Sequence, residues 1–142
     1  MRVRITRIRS DAALPKYETR GACCFDIVCV EDATVPPRSI ALLPTGLVIA
    51  APDGYMLMVA ARSSTPIKKG LMLPHGVGII DQDYSGPEDE LKLEVYNFTD
   101  SPVEVKKGER ICQGGFVRVD RCEWAEGPAD TNSSRDGFGS TG

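Results

Sequence analysis

Pro52-Asp53-Gly54-Tyr55-Met56-Leu57-Met58-Val59-Ala60 is a turn signal running straight into a short β-prone run, and it sets the reading of the whole chain. The same unit recurs on both sides. Val3, Ile5 and Ile8 alternate with Arg2, Arg4 and Arg7, and residues 25–30, 39–43, 47–49, 91–96 and 111–119 are further short β-prone runs. Apolar residues recur with a period of 2 rather than 3.6. Between the runs fall Pro36-Pro37, Pro44-Thr45-Gly46, Pro74-His75-Gly76 and Lys107-Gly108. Ten prolines and fourteen glycines at fairly regular spacing leave no long amphipathic helix, and the best helical candidate is the short stretch 64–69. Many short strands joined by regular turns predict an all-β domain, a jelly-roll-like β-sandwich or barrel.

Composition narrows the classes of function. The chain has 142 residues, the common size of one domain. A chain this long buries roughly 68% of the surface its unfolded form exposes, so it needs no disulfide or metal staple. Hydrophobic residues make up 42% and charged residues 26%, an ordinary globular balance. Seventeen Lys and Arg against twenty Asp and Glu give a net charge of −3, which is no footprint for a nucleic-acid backbone or an anionic membrane. No apolar run approaches the ~20 residues of a spanning helix. The segment from Met1 to Arg9 alternates charged and apolar residues and lacks the apolar core of a signal peptide. The expectation is a soluble, cytoplasmic single domain with neither nucleic acid nor membrane as partner.

Cys23, Cys24, Cys29, Cys112 and Cys122 are odd in number, which predicts reduced thiols, mostly buried as small hydrophobes. Their spacing does not suit zinc. His75 is the only histidine, so a Ser-His-Asp or Cys-His site has to run through it, and Leu73-Pro74-His75-Gly76 reads as a turn. Hydrolytic chemistry falls instead to carboxylates and a borrowed metal ion.

Four segments carry chemistry. Gly78-Ile79-Ile80-Asp81-Gln82-Asp83-Tyr84-Ser85-Gly86 places two acids and a tyrosine after a β-like run. An extended chain puts Asp81 and Asp83 on one face and Tyr84 on the other; the alternative is an acidic hairpin rim. Ala61-Arg62-Ser63-Ser64-Thr65 sets a guanidinium beside three hydroxyls, suited to phosphate oxygens or to capping a short helical turn. Lys107-Gly108-Glu109-Arg110-Ile111-Cys112-Gln113 is a turn entering a strand, with Glu109 and Arg110 readable as a surface pair. Residues 130–142 hold one large apolar residue, Phe138, and read either as a frayed tail or as a lid whose glycines let backbone N–H groups wrap an anion. The organisation is a β domain over 1–129 and a flexible Gly-rich C-terminal tail over 130–142 belonging to it. Phosphate donors, a carboxylate and a flat ring for stacking suit a nucleotide with a polyphosphate. No Walker-type Gly-x4-Gly-Lys-Ser/Thr loop occurs.

In their order these segments resemble the trimeric dUTPase family along nearly the whole chain. Leu14-Pro15-Lys16-Tyr17 through Gly21-Ala22-Cys23-Cys24-Phe25-Asp26-Ile27 looks like the family's first motif, Arg62-Ser63-Ser64 its second and 78–86 its third. Gly108-Glu109-Arg110-Ile111-Cys112-Gln113 matches the fourth, and 137–142 the glycine-rich fifth. The resemblance implies a jelly-roll subunit in a homotrimer with active sites at subunit interfaces. The implied reaction splits dUTP into dUMP and pyrophosphate with Mg2+, limiting dUTP and supplying dUMP for thymidylate synthesis. It implies that Asp81 orients and deprotonates the attacking water, and that Tyr84 packs on the deoxyribose and excludes a 2′-hydroxyl. Arg62, Ser63, Ser64 and Gln113 are expected on the phosphate chain, with Lys92 a further position at the substrate. Backbone of the hairpin between His75 and Ile80, with Gly78 and Ile79, is expected to read the uracil edge. Phe138 is expected to stack on the ring, with Gly139 and Ser140 closing over the substrate. Asp26 is expected to meet the metal through water.

The chain departs from the family pattern at four places. His75 stands where many members carry Asn, and Cys24 replaces a common Gly. Pro87-Glu88-Asp89 looks like an insertion in a hairpin tip. Arg135 lies three residues before Phe138, where the usual tail arginine lies five before, and it is the candidate for the γ-phosphate. The related dCTP deaminases share the fold, and Leu93-Glu94-Val95 falls where their acid-base glutamate lies, so Glu94 is either such a base or the polar face of a strand. Against a deaminase stand Asp81-Gln82-Asp83-Tyr84, the hydrolase form, and the lack of an Arg shortly after Arg62-Ser63-Ser64. A non-catalytic nucleotide-binding sandwich is expected to lose Asp81 or Phe138, and both are present.

Overall fold

The quoted stretch folds as its pattern requires. Gly54 takes the left-handed φ of 75° that a turn needs, the Tyr55 N–H donates to Pro52 O at 3.0 Å, and a strand follows. In the computed structural model, which describes residues 1–129, the strands are β1 (Arg4–Arg7), β2 (Phe25–Val28), β3 (Ala33–Val35), β4 (Ile40–Pro44) and β5 (Leu47–Ala50). They continue as β6 (Tyr55–Ala61), β7 (Leu71–Met72), β8 (Val77–Ile80), β9 (Lys92–Asn97), β10 (Val103–Val105) and β11 (Arg110–Arg118). Among the described residues the helical content is α1 (Ser64–Lys69), in the stretch the sequence singled out. None of it is long and apolar enough to cross a membrane.

The strands pair antiparallel throughout, in sheets ordered β2-β11-β6-β8, β4-β9-β7, β1-β5 and β10-β3. Alternation decides which face is dry. Phe25 and Ile27 on β2, Leu57 and Val59 on β6, and Ile111 on β11 turn inward to meet Leu43, Leu71, Leu93 and Val95 from the three-stranded sheet in one core. Each such side chain contributes roughly 1.5–3 kcal/mol by leaving water. This is the jelly-roll-like sandwich expected, and it leaves the outward residues of the same strands free to build a site.

Two local features hold the loops after α1 and β9. Asn97 is fully buried, and its amide donates to the carbonyls of Val35, Pro36 and Ser101 at 3.0, 3.1 and 2.8 Å. Its Oδ1 accepts from the Thr99 N–H and hydroxyl at 2.9 and 2.8 Å, so the polar group costs little to bury. Gly70 ends α1 at φ 68°, and a Cβ there would meet Thr99 Cγ2 at 2.2 Å, so only glycine fits.

The structure corrects three expectations. Asp81 to Tyr84 is a turn, not an extended chain: the Tyr84 N–H donates to Asp81 O at 3.3 Å and the Ser85 N–H to Asp83 O at 3.0 Å. Strand β8 stops at Ile80, the last of its residues paired to β6, and aspartate favours the turn that follows. Pro87-Glu88-Asp89 does lie in a turn, closed by Gly86 N–H to Asp89 Oδ2 at 2.7 Å. It is no hairpin tip, because β8 pairs with β6 and β9 with β4 and β7, so the loop passes between sheets. The turn at His75 likewise joins strands of different sheets, β7 and β8.

Candidate functional site

Register places the first group of predicted residues side by side. Gln113 on β11 lies opposite Asp26 on one side and Ala60 on the other, so all three share the outer face of the four-stranded sheet. Arg62 follows just past the end of β6. Its Nε lies 2.9 Å from Asp26 Oδ1, and Arg110 Nη1 lies 3.2 Å from Asp26 Oδ2. Glu18 Oε2 meets the same Arg110 nitrogen at 3.1 Å. The Asp26 carboxyl is only 11% exposed, so it is a partly dry carboxylate clamping two guanidiniums.

Ser63 and Ser64 enter α1 beside this clamp. Ser63 sits at the cap position but makes no side-chain cap hydrogen bond, and Thr65 anchors the turn instead through its hydroxyl to Ile111 O at 2.8 Å. The capping reading of these serines is therefore not what the helix uses. Glu109 and Arg110 are not a pair either: Glu109 bridges Lys69 at 2.8 Å while Arg110 turns to Asp26 and Glu18. The Gln113 amide donates to Ala61 O at 3.3 Å.

The second group gathers elsewhere. Two adjoining pockets of ≈ 400 and ≈ 200 Å³ share Leu42, Ile79, Ile80, Leu91 and Lys92 in their walls. Asp81 and Tyr84 line the larger, His75, Gly78 and Glu94 the smaller. Tyr84 is fixed by its own loop: its hydroxyl donates to Glu90 O at 3.1 Å, and the Glu90 side chain accepts the Gly46 N–H at 2.8 Å. Leu42 and Ile79 at the mouth are more than half exposed, an unusual state for large apolar side chains in a pocket wall.

The two groups sit at opposite ends of β6. Ile80 pairs with Leu57, which puts Asp81 beside Met56, whereas Arg62 lies beyond Ala61. Six residues of strand separate them, ~20 Å at the usual rise. Arg135, Phe138, Gly139 and Ser140 lie outside the described residues. Sequence reasoning missed Arg110, Glu18 and Glu90 as members of these groups. Arg110 depends on the register of β11 against β2, Glu18 on the bridge that ties Lys16 to Asp26, and Glu90 on a loop conformation that no spacing announces.

The thiols divide by position. Cys29 and Cys112 are buried, and desolvation pushes both up to about 12. Cys23 and Cys122 are exposed, against the expectation of burial, and all five thiols are free.

The comparisons agree with this architecture. The family model for dUTPase matches residues 10–142. A deoxyuridine 5'-triphosphate nucleotidohydrolase of Hydrogenobaculum sp. (strain Y04AAS1) is 40% identical over 145 residues, spanning 100% of this chain and 99% of the relative. The crystal structure of dUTPase from Streptococcus mutans is similar with a TM-score of 0.77 at 33% identity, covering 84% of this chain and 98% of that one. A Staphylococcus bacteriophage 80alpha dUTPase solved with dUPNHPP has the same fold, with a TM-score of 0.88 at 22% identity over 99% of this chain and 98% of that one. A match across nearly the whole chain, in sequence and in fold, makes this chain a member of the dUTPase family of enzymes.

Proposed function

We propose that the protein hydrolyses dUTP to dUMP and pyrophosphate, with water attacking the α-phosphorus, in a homotrimer whose active sites are completed between subunits. The observation that carries this reading is the separation of Arg62 from Asp81 along β6. A base must stand within hydrogen-bond reach of the water it activates, and the phosphate donors must touch the same triphosphate. At ~20 Å of backbone separation within one chain, one substrate would need both side chains stretched toward each other, and an Asp81 of one copy facing Arg62 of another serves it without that strain. The half-exposed Leu42 and Ile79 at the pocket mouth support the same arrangement, since a neighbouring copy would cover them.

The roles then follow from the groups present. Arg62, Ser63, Ser64 and Gln113 hold the triphosphate, with Arg62 pre-aimed by Asp26. Lys92 stands beside Asp81 and Tyr84 in the larger pocket. Asp81 takes the proton of the attacking water as the new P–O bond forms and the bond to the bridging oxygen breaks, releasing pyrophosphate. Tyr84, held by Glu90, forms the sugar wall that leaves no room for a 2′-hydroxyl. Backbone from His75 through Ile80 reads the base edge. Phe138, Gly139 and Ser140 are assigned to the base ring and Arg135 to the γ-phosphate, all four outside the described residues.

Magnesium fits this donor set. Among the described residues no group of three or more His, Cys, Asp or Glu is arranged to hold a metal. Asp26, beside the phosphate donors, keeps spare lone pairs on both carboxylate oxygens and can accept from a metal-bound water. Carried in on the phosphates, Mg2+ supplies charge neutralisation across the triphosphate.

Mixing two inactive variants tests the reading. Arg62→Ala and Asp81→Ala, each purified as an inactive protein, are dissociated together and reassociated at equal amounts. Random trimers restore about a quarter of the sites, because one copy then supplies Arg62 and another Asp81. No recovery of dUTP hydrolysis from a mixed population would place both residues in one chain's site and overturn the proposal.

A further inference from the structure

His75 stands in the smaller pocket with its Nε2 3.7 Å from Oε2 of Glu94, each side chain somewhat over a third exposed. Gly78, on β8, offers that ring no side chain: a Cβ there would sit 3.6 Å from His75 Cε1 and 3.7 Å from Nε2, so the imidazole lies against bare backbone. Leu42, Val59, Ile79 and Ile80 around it are apolar. Among the described residues, the charged groups of this pocket are Lys92 and Glu94, both on the outward face of β9, and only Glu94 is within ion-pair distance of the ring.

We propose that Glu94 is a positioning residue that orients the His75 imidazole at the base end of the pocket, and through it sets how tightly the uracil ring is held and how well cytosine is rejected. The inference rests on the reading of the preceding subsection. At 3.7 Å the contact is longer than a hydrogen bond, so Glu94 acts through its charge, which favours the ring flip and tautomer that turn an N–H toward it. In the neutral ring Nδ1 is then the acceptor, and the pocket presents one donor–acceptor pattern in place of two tautomers and two ring flips. Preorganisation of this kind acts on binding, which places the effect in KM. Uracil and cytosine differ in the hydrogen-bonding groups of one edge, so a wall free to swap its own pattern discriminates between them less well.

The test is a double-mutant cycle over His75→Ala, Glu94→Ala and the pair, with Glu94→Gln as the conservative variant and steady-state kinetics on dUTP and dCTP. Glu94→Ala is expected to raise KM for dUTP about three- to tenfold, with kcat little changed and the preference for dUTP over dCTP reduced. The same change in the His75→Ala background should add almost nothing. Glu94→Gln, which keeps the size and loses the charge, should behave nearly as Glu94→Ala, showing that the carboxylate charge does the orienting. Independent, multiplying penalties in an enzyme that hydrolyses dUTP would overturn the proposal while leaving the proposed activity intact. Deamination of dCTP that disappears in Glu94→Ala would overturn it by making Glu94 a reacting base. Failure of the unmodified protein to hydrolyse dUTP would overturn the activity and this inference with it.

Discussion

The Nε of Arg62 lies 2.9 Å from Oδ1 of Asp26, across two strand positions of the same sheet face, while Arg110 occupies the other carboxylate oxygen at 3.2 Å. One carboxylate thus holds two cations that would otherwise repel each other, next to the start of α1.

Removing that carboxylate leaves the Arg62 guanidinium without its partner and Arg110 with Glu18 alone. Asp26→Ala is expected to cost about 1–3 kcal/mol, less than a fully buried pair because Arg110 is half exposed. Turnover of dUTP should fall more than tenfold, since Arg62 loses its aim. An unchanged urea midpoint would show that the clamp contributes nothing to the fold.

Asn97 makes five hydrogen bonds in full burial. Asn97→Leu strands the Val35 and Pro36 carbonyls and the Thr99 N–H, while the Thr99 hydroxyl can still donate to Ser101 O at 2.9 Å, and should destabilise the domain by about 3–5 kcal/mol. Activity per folded molecule is expected to survive, because Asn97 touches neither group of site residues. Chemical denaturation followed by tryptophan-independent circular dichroism, with kcat measured at low temperature, separates the two effects.

Tyr84 is held by a single hydrogen bond to Glu90 O at 3.1 Å. Tyr84→Phe keeps the ring and loses the tether, so KM for dUTP should rise about two- to fivefold. Hydrolysis of UTP should gain relative to dUTP as the sugar wall loosens. Identical ratios of kcat/KM for the two nucleotides in both proteins would show that the tether plays no part in selectivity.

Asp11 is held near a pKa of about 2 by hydrogen bonds from Lys107 and Arg9, with opposite charge adding to them. Its folded value lies below the unfolded 3.8, so its contribution is fully present above about pH 5 and is lost as pH falls through 3.8 toward 2. The gap in urea midpoint between the parent and Asp11→Asn should therefore close over that window. A gap constant from pH 6 to pH 2 would remove Asp11 from the acid response.

The thiols offer a check on burial. Alkylation of the native protein at pH 8 should label Cys23 and Cys122 and spare Cys29 and Cys112, whose thiols burial pushes up to about 12. Peptide mass analysis reads the pattern directly. Equal labelling of all five before unfolding would contradict the packing around β2 and β11.

Much of this protein was legible in one dimension. Period-2 runs broken by Pro and Gly predicted the sandwich because alternation is a local property: Leu57 and Val59 are inward wherever β6 lies. The short helix at Ser64–Lys69 and the turn at Gly76 were equally local. Strands as short as β3, β7 and β10 were not, since three or fewer residues carry too little pattern and are strands only because a partner pairs with them. The site divides the same way. Residue types suited to phosphate, water and sugar could be named from the sequence, because charge and hydroxyl content belong to the residue. That Asp26 meets Arg62 and Arg110, that Asp81 sits in a turn, that His75 faces Glu94, and that Arg62 and Asp81 stand at opposite ends of β6 required the register of the sheets. Register is set by pairing between distant segments, and only the folded chain chooses it.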